Sequence, residues 1–178
     1  MISRVIVVGT SGSGKTSFAA ELSSLTGIPH TQIDALYHQP NWVSTPADQM
    51  LRQLRDIASG DRWIVDGNYT MFTREAVWPR AQIVVWLDYS LLTVMRRVIS
   101  RTFRRLITRQ ELWNGNRESF AFLLSKENII LWALTTHSAN RRKYPRMVEA
   151  FPNVAMIRFR NPREAERWLA ETSLQCRR

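Results

Sequence analysis

The sequence predicts an α/β fold in which a parallel sheet of five strands is flanked by helices. Short runs of apolar, β-branched residues alternate with longer segments of helical periodicity, a pattern typical of repeated strand–helix–strand units. The first apolar run leads directly into a glycine-rich turn. Three of the runs end in an aspartate, as expected where parallel strands present their carboxyl ends to a ligand.

Apolar runs mark the strands, and glycine and proline mark the helix ends. The first strand is almost continuously apolar, as in a strand buried on both faces. The predicted strands are Ile2–Val8, His30–Asp34, Arg62–Asp66, Gln82–Asp88 and Val154–Phe159. The predicted helices, several with proline at the start or glycine beyond the end, are Thr16–Leu25, Pro46–Ser59, Leu91–Leu106 and Arg163–Thr172.

The composition indicates one domain, predicted to span residues 1–178, with 44% hydrophobic residues to fill one core. The formal net charge of +10 indicates an anionic partner: nucleic acid, a membrane surface or a phosphorylated small molecule. The single cysteine, Cys176, leaves no partner for an internal disulfide. No apolar run approaches a membrane span and no signal-peptide pattern opens the chain, so we expect a cytoplasmic location without a membrane partner.

A complete G-x-x-x-x-G-K-T spacing occupies Gly9–Thr16. Its glycines let the backbone curl so that several N–H groups point at an anion, and the helix that follows adds its positive N-terminus. In such a P-loop the lysine reaches the β- and γ-phosphates and the threonine hydroxyl ligates Mg²⁺. The motif therefore predicts ATP and Mg²⁺. The predicted nucleotide-binding residues are Gly9, Thr10, Ser11, Gly12, Ser13, Gly14, Lys15, Thr16 and Ser17.

Three aspartates are candidates for the metal and for the chemistry. Mg²⁺ in a P-loop site needs a carboxylate in addition to Thr16, usually through water, and the sequence favours Asp66 with Asp88 as the other candidate. Asp34 is predicted to hold an acceptor hydroxyl or to act as its base. Each carboxylate has an ordinary alternative role, as the cap of the turn or helix that follows its strand.

The predicted helix Leu91–Leu106 is amphipathic. Its arginines are expected on the face opposite its apolar residues: Arg97, Arg101, Arg104 and Arg105. Phosphoryl transfer needs cations around the charge on the phosphate oxygens, and the planar fork of arginine suits this task. Arg97 and Arg101 are therefore predicted catalytic residues, together with Lys15, Asp34 and Asp66.

Three further groups of residues are candidates for the site. One has a single predicted role, and each of the other two has two interpretations. Residues 106–117, polar and with a glycine, are predicted to form a lid that excludes water. The aromatic side chains of Tyr37, Trp42 and Tyr69 either stack on a base of the acceptor or pack internally. The basic group from Arg141 to Arg146 either closes over the phosphates or belongs to the surface.

The motifs, taken in order, resemble one family. Besides the P-loop, the chain contains Ile33-Asp34-Ala35-Leu36-Tyr37 with Asn41-Trp42, Trp63-Ile64-Val65-Asp66-Gly67-Asn68-Tyr69, Val85-Trp86-Leu87-Asp88, and Arg97-x-x-x-Arg101-Thr102. Over residues 1–145 they resemble the adenylate-kinase-like P-loop proteins labelled DNA topology modulation proteins. The resemblance implies the nucleoside monophosphate kinase fold, with a substrate-binding arm at about 35–60 and a lid at about 106–117. It also implies that Asp66 lies near Mg²⁺ and that Arg97 and Arg101 contact ATP.

One departure from this resemblance concerns the acceptor. In adenylate kinase an Asp-Gly-Phe-Pro-Arg box occupies the place of residues 66–70, and its arginine is expected on the substrate phosphate. Here Asn68-Tyr69-Thr70 replaces Phe-Pro-Arg, which argues against AMP as the acceptor.

The leading functional prediction is an ATP- and Mg²⁺-dependent phosphotransferase that acts on a nucleotide, a nucleoside or a related small acceptor. The alternative is a nucleic-acid-binding P-loop ATPase that affects DNA topology, with the positive charge on the phosphate backbone. A third prediction is a nucleotide binder with little turnover. Against the nucleic-acid alternative, the sequence has no helix-turn-helix, zinc or other DNA-reading motif.

Overall fold

A computed structural model describes residues 2–119 and 128–176, in which one sheet of five strands is parallel throughout. Its strand order is β2-β3-β1-β4-β5. The strands are β1 at Arg4–Gly9, β2 at His30–Gln32, β3 at Trp63–Asp66, β4 at Ile83–Leu87 and β5 at Ala155–Phe159. The predicted α/β class with a five-stranded parallel sheet is confirmed.

The helices of the described residues flank this sheet. They are α1 at Lys15–Thr26, α2 at Ile33–Tyr37, α3 at Ala47–Ser59, α4 at Thr70–Ala76, α5 at Leu91–Thr108, α6 at Ile129–Ala150 and α7 at Pro162–Cys176. Short 3₁₀ helices lie at Pro40–Trp42, Trp78–Arg80 and Trp113–Gly115. None of the helices in the described ranges is both long and apolar enough to cross a membrane.

The sheet is buried on both faces, which explains why its central strands are continuously apolar. One face packs against α3, α4 and the C-terminal half of α6, with the fully buried indoles of Trp63, Trp78 and Trp86 in that layer. The other face packs against α1, α5, α7 and the N-terminal half of α6. The helix α6 therefore reaches from one layer to the other across the carboxyl ends of the strands.

The strand register brings the candidate site together at one edge. Strand β1 lies between β3 and β4, where Val7 pairs with Asp66 and Gly9 pairs with Leu87. The P-loop therefore leaves the sheet between Asp66, the last residue of β3, and Asp88, the residue after β4. Carboxyl ends of parallel strands meet at the same edge, and ligands of such sheets bind there.

The predicted strand end at Asp34 is wrong. Strand β2 stops at Gln32, and Asp34 lies in the first turn of α2. An acid is favourable there because the N-terminus of a helix carries partial positive charge.

The predicted face on α5 is wrong for Arg97 and Arg101, whereas Arg104 is exposed as expected. The buried stripe of α5 consists of Val94, Val98, Thr102 and Leu106. Arg97 and Arg101 each precede a member of this stripe by one position, which is about 100° around a helix, so they flank it. Consequently they border the buried stripe and are not on the opposite side of the helix from it.

Candidate active site

The loop between β1 and α1 is closed by its own lysine. Lys15 Nζ donates to the carbonyl oxygens of Gly9 and Thr10 at 3.0 and 3.4 Å. Burial lowers the pKa of Lys15, while the negative charges of Asp34 and Asp66 act in the opposite direction. The lysine therefore lies within electrostatic reach of both carboxylates that the sequence assigns to catalysis.

The second glycine of the loop is required by close packing. Gly12 has a φ of +87°, and a Cβ built there would lie 2.5 Å from Val98 Cγ2 and 2.9 Å from the Val94 carbonyl oxygen. Helix α5 thus packs directly on the loop backbone. Any side chain at position 12 forces the loop and α5 apart.

Asn68, two residues after β3, holds the start of the loop. Its Nδ2 donates to the Gly9 carbonyl at 2.7 Å, and its Oδ1 accepts from the Gly9 N–H at 3.3 Å. The same Oδ1 accepts from the hydroxyl of Tyr144 on α6 at 2.9 Å. A single side chain therefore joins β1, the Asp66 segment and α6.

Arginines of α5 reach the loop from the other side. Arg97 Nη1 donates to the Ser13 carbonyl at 3.3 Å, and Arg101 Nη2 donates to Ser11 Oγ at 3.2 Å. These contacts place two guanidinium groups beside the predicted phosphate-binding backbone. Arg104 has no such contact and is exposed.

Asp66 and Thr16 have surroundings that fit a magnesium ion. Asp66 is 1% exposed, and its Oδ2 lies 3.1 Å from His30 Nε2. Its Oδ1 is buried and has no hydrogen-bond partner among the described residues. Gln32 pairs with Asp66 in the sheet, and its Nε2 donates to Thr16 Oγ1 at 3.3 Å, so Gln32 borders both groups. A buried, unsatisfied carboxylate oxygen is costly unless a cation or donor binds it.

Asp88 has different surroundings from Asp66. Its Oδ1 accepts from Arg141 Nε at 2.8 Å, and its Oδ2 accepts from Arg158 Nε at 3.0 Å. Both oxygens are therefore engaged in ion pairs that join β4, β5 and α6. These ion pairs differ from the expected alternative role as a cap, because the helix that follows β4 is capped by Ser90.

Asp34 is positioned by Tyr69, whose ring packs against Tyr37. The hydroxyl of Tyr69 donates to Asp34 Oδ1 at 2.7 Å and lies 3.2 Å from His38 Nε2. The ring centroids of Tyr37 and Tyr69 are 4.7 Å apart. Burial raises the pKa of Tyr69, and the charge of Asp34 raises it further, so the hydroxyl stays protonated and donates to the carboxylate.

The predicted lid contacts the predicted arm. The ring of Trp113 stacks on His38 with centroids 5.5 Å apart. Asn114 Nδ2 donates to the carbonyls of Ala35 and His38 at 3.1 and 2.6 Å. Asn116 Oδ1 accepts from the Trp42 N–H at 2.8 Å. Segment 113–116, far along the chain from segment 35–42, thus closes on it beside Asp34.

The structure brings most of the predicted site residues to this edge. Ser17, which follows the motif, has an exposed side chain in the first turn of α1, and its predicted role in nucleotide binding stays a prediction. Several residues of the site were not foreseen from the sequence: His30, Asn68, Trp113, Asn140 and Tyr144. Of these, Asn140 reaches the P-loop, because its Nδ2 lies 3.3 Å from Thr10 Oγ1. The sequence contained a signal for two of them, because Asn68 lies within the Asp-Gly-Asn-Tyr segment at 66–69 and Trp113 lies within the predicted lid.

Comparison with known proteins identifies the fold. No protein-family model matches the sequence, and a comparison with curated proteins finds no match. Among solved structures, the chain is similar to shikimate kinase from Acinetobacter baumannii in complex with shikimate, with a TM-score of 0.58 and 16% identity over 98% of this chain and 92% of that one. It is similar to shikimate kinase from Bacteroides thetaiotaomicron, with a TM-score of 0.55 and 11% identity over 100% of both chains.

A gluconokinase from Sinorhizobium meliloti 1021 is also similar, with a TM-score of 0.51 and 19% identity over 97% of this chain and 94% of that one. The chain therefore shares the fold of these P-loop kinases, a five-stranded parallel sheet flanked by helices. At identities of 19% or less, similarity to these kinases establishes the fold of the chain and not its function.

Proposed function

We propose that this chain is an ATP- and Mg²⁺-dependent phosphotransferase with a small-molecule acceptor. One observation carries the proposal: Lys15, Arg97 and Arg101 converge on the P-loop from α1 and α5, while Asp34 and Asp66 lie within electrostatic reach of Lys15. This arrangement has cations for a phosphate chain and carboxylates for a metal and an acceptor hydroxyl, which are the parts that phosphoryl transfer requires.

The proposed reaction is an in-line transfer of the γ-phosphoryl group. An acceptor hydroxyl oxygen forms a bond to the γ-phosphorus, and the bond from that phosphorus to the β–γ bridging oxygen breaks, so that ADP leaves. Asp34 accepts the proton of the acceptor hydroxyl. Tyr69 holds Asp34 in place through the 2.7 Å hydrogen bond, and Lys15 with the two arginines stabilises the charge on the phosphate oxygens.

Thr16 and Asp66 are the residues that would hold the magnesium ion. The unpartnered Oδ1 of Asp66 supports this assignment. Bound there, Mg²⁺ would neutralise charge on the nucleotide phosphates.

The contacts between segments 113–116 and 35–42 support a role in excluding water. A kinase that leaves its γ-phosphate wet hydrolyses ATP instead of transferring the phosphoryl group. Trp113 stacks on the ring of His38. Asn114 donates to the carbonyl of Ala35, the residue after Asp34, and Asn116 donates to the carbonyl of Gln39.

The first experiment is ADP formation from ATP and Mg²⁺ in the presence of nucleosides, nucleoside monophosphates, sugars, sugar acids and shikimate. The expected result is ADP release that depends on one small acceptor and yields its phosphorylated product, and that is lost in Lys15→Ala. ADP release driven by DNA alone and suppressed by salt would refute the proposal. Such a result would favour the second candidate, a nucleic-acid-dependent ATPase that affects DNA topology. The net charge of +10 supports this candidate because it favours binding to a phosphate backbone.

A further inference from the structure

A surface cleft lies between α4 and α6. Its volume is about 410 Å³. Its α6 wall follows the spacing i, i+3, i+4, i+7, i+8 and so forms one face of that helix. The lining residues are Thr70 and Arg74 of α4 with Ala139, Arg142, Lys143, Arg146, Met147 and Ala150 of α6.

The cleft carries positive charge without compensation. Of its lining residues, four are cationic and none is acidic: Arg74, Arg142, Lys143 and Arg146. Within residues 2–119 and 128–176, none of these four has a carboxylate within salt-bridge distance. Other arginines of the chain are paired, such as Arg105 with Glu118 at 2.9 Å and Arg141 with Asp88 at 2.8 Å. Four unpaired cations around one concave surface favour an anionic ligand.

The inner end of the cleft adjoins the P-loop. Lys143 directly precedes Tyr144 on α6, and its ammonium lies 4.7 Å from the ring centroid of Tyr144. Tyr144 in turn donates to Asn68, the residue that holds Gly9. The cleft therefore lies next to the residues that hold the start of the P-loop and runs along α6 to Ala150.

Residues 66–70, next to the proposed base Asp34, contain no cationic side chain. They read Asp-Gly-Asn-Tyr-Thr, so the charge of a negatively charged acceptor has to be neutralised by residues of other elements. Lys143 and Arg146 lie one helical turn apart at i and i+3, a spacing that lets both side chains approach one anionic group.

We infer that this cleft binds the phosphate or carboxylate group of the acceptor, with Lys143 and Arg146 as its principal ligands and Arg74 and Arg142 at its rim. The inference rests on the proposed phosphotransferase function and adds the substrate class: the acceptor is an anion that also bears a hydroxyl. An uncharged sugar or nucleoside leaves the four cations without a counter-charge.

A binding experiment tests the cleft independently of turnover. Protein saturated with a non-hydrolysable ATP analogue and Mg²⁺, so that the P-loop is filled, is titrated with glycerol 2-phosphate, with gluconate and with ribose, and amide NMR shifts along α6 are followed. We expect one of the two anions to bind and ribose to leave the shifts unchanged. The anion that binds more tightly identifies the phosphate or the carboxylate class.

Matched variants decide whether the cleft is responsible. Lys143→Gln with Arg146→Gln is expected to weaken anion binding at least about tenfold, as loss of charge-assisted hydrogen bonds predicts. Arg167→Gln is the control, because Arg167 is exposed on α7, which packs on the opposite face of the sheet. Unchanged anion affinity in the double variant, or ribose binding as tight as the anions, would overturn the inference.

The kinase assay separates this inference from the proposed function. An anionic acceptor whose KM rises in the double variant, at unchanged KM for ATP, supports both. Absence of ADP formation with every acceptor refutes the proposed function, while the NMR titration still decides whether the cleft binds small anions. Single-stranded DNA that binds the cleft in place of both small anions, with loss in the double variant, would overturn the inference in favour of a nucleic-acid surface.

Discussion

Asn68 binds Gly9 through both atoms of its side-chain amide, at 2.7 Å to the carbonyl and 3.3 Å from the N–H. The amide thus replaces a strand neighbour at the point where β1 leaves the sheet. It fixes the first glycine of the P-loop relative to β3, which ends in Asp66. Together with the pairing of β1 and β3, this side chain therefore sets the position of the phosphate-binding backbone relative to the proposed metal ligand.

Replacing Asn68 by Ala is expected to loosen the P-loop. The change removes two hydrogen bonds of Gly9, so that its N–H loses the Asn68 acceptor and its carbonyl keeps Lys15 Nζ as a donor, which costs about 1–3 kcal/mol in the free energy of unfolding. ATP affinity should fall about tenfold, because the loop N–H groups lose their preorganisation. Chemical denaturation and ATP titration measure both effects. Asn153→Ala, at an exposed asparagine before β5, is the control, and equal effects at the two positions would contradict this account.

Two glycines with positive φ should respond differently to alanine. Gly27 has a φ of +66° and open space around a built Cβ, so Gly27→Ala should cost only about 1–2 kcal/mol of backbone strain. Gly12→Ala adds the overlap with Val98 and Val94 and should cost more, with loss of ATP binding. Thermal unfolding with and without ATP distinguishes the two. An ATP-dependent increase in Tm that survives in Gly12→Ala would be inconsistent with the observed packing of α5 on the loop.

Asp34 and Tyr69 should affect catalysis and leave nucleotide affinity intact. Asp34→Asn removes the proposed base and is expected to lower kcat by roughly 10²–10⁴-fold. Tyr69→Phe removes the hydroxyl that orients Asp34 and also contacts His38, and it should lower kcat by about tenfold. Steady-state kinetics with the identified acceptor, together with ATP titration, provide the test. A Tyr69→Phe variant with normal kcat would show that Asp34 needs no such support.

Arg101 and Arg104 form a matched pair on one helix. Arg101 contacts Ser11 of the P-loop at 3.2 Å, whereas Arg104 is exposed and has no contact with the loop. Arg101→Gln is expected to reduce kcat by at least about 10²-fold, since transition-state charge loses a cation. Arg104→Gln should change it less than about threefold. Similar losses in the two variants would indicate a general effect of charge on α5.

The contact between His38 and Trp113 should weaken in acid. Burial lowers the pKa of His38, with Asp34 opposing the shift, so the folded protein favours the neutral imidazole. The contribution of neutral His38 to the free energy of unfolding is therefore fully present above the ordinary histidine pKa. It is lost as the pH falls through the lowered pKa of His38 in the folded protein. Denaturation midpoints between pH 7 and pH 5 should fall more steeply in the native protein than in His38→Asn. Parallel slopes in the two proteins would rule out this titration.

Much of the fold was determined by local signals in the sequence. The run from Arg4 to Val8 is apolar because both sheet faces are covered, and the glycine and lysine spacing of the P-loop is short-range. Helix ends at Gly27 and Gly60 were likewise predictable, since the residue types themselves stop a helix. These features depend on neighbours a few positions apart, which is the distance over which periodicity and turn chemistry operate.

The division of work among the acids was decided only by tertiary structure. Asp66 and Asp88 have the same sequence context, an apolar strand followed by an aspartate. Their partners come from 36, 53 and 70 positions away: His30 for Asp66, and Arg141 and Arg158 for Asp88. No local pattern encodes such distances. The physical reason is that the charge environment of a carboxylate depends on which distant elements pack against its strand end.

The same holds for the arginines and for the contact between lid and arm. Arg97 and Arg101 lie beside the P-loop because α5 rotates its Val94 and Val98 stripe onto Gly12, a close approach that only a glycine permits. The sequence by itself determined a P-loop, its strand and the residue types of a phosphate site. Tertiary packing decided which charged side chains reach that site, because helix rotation and long-range pairing are set by the whole core.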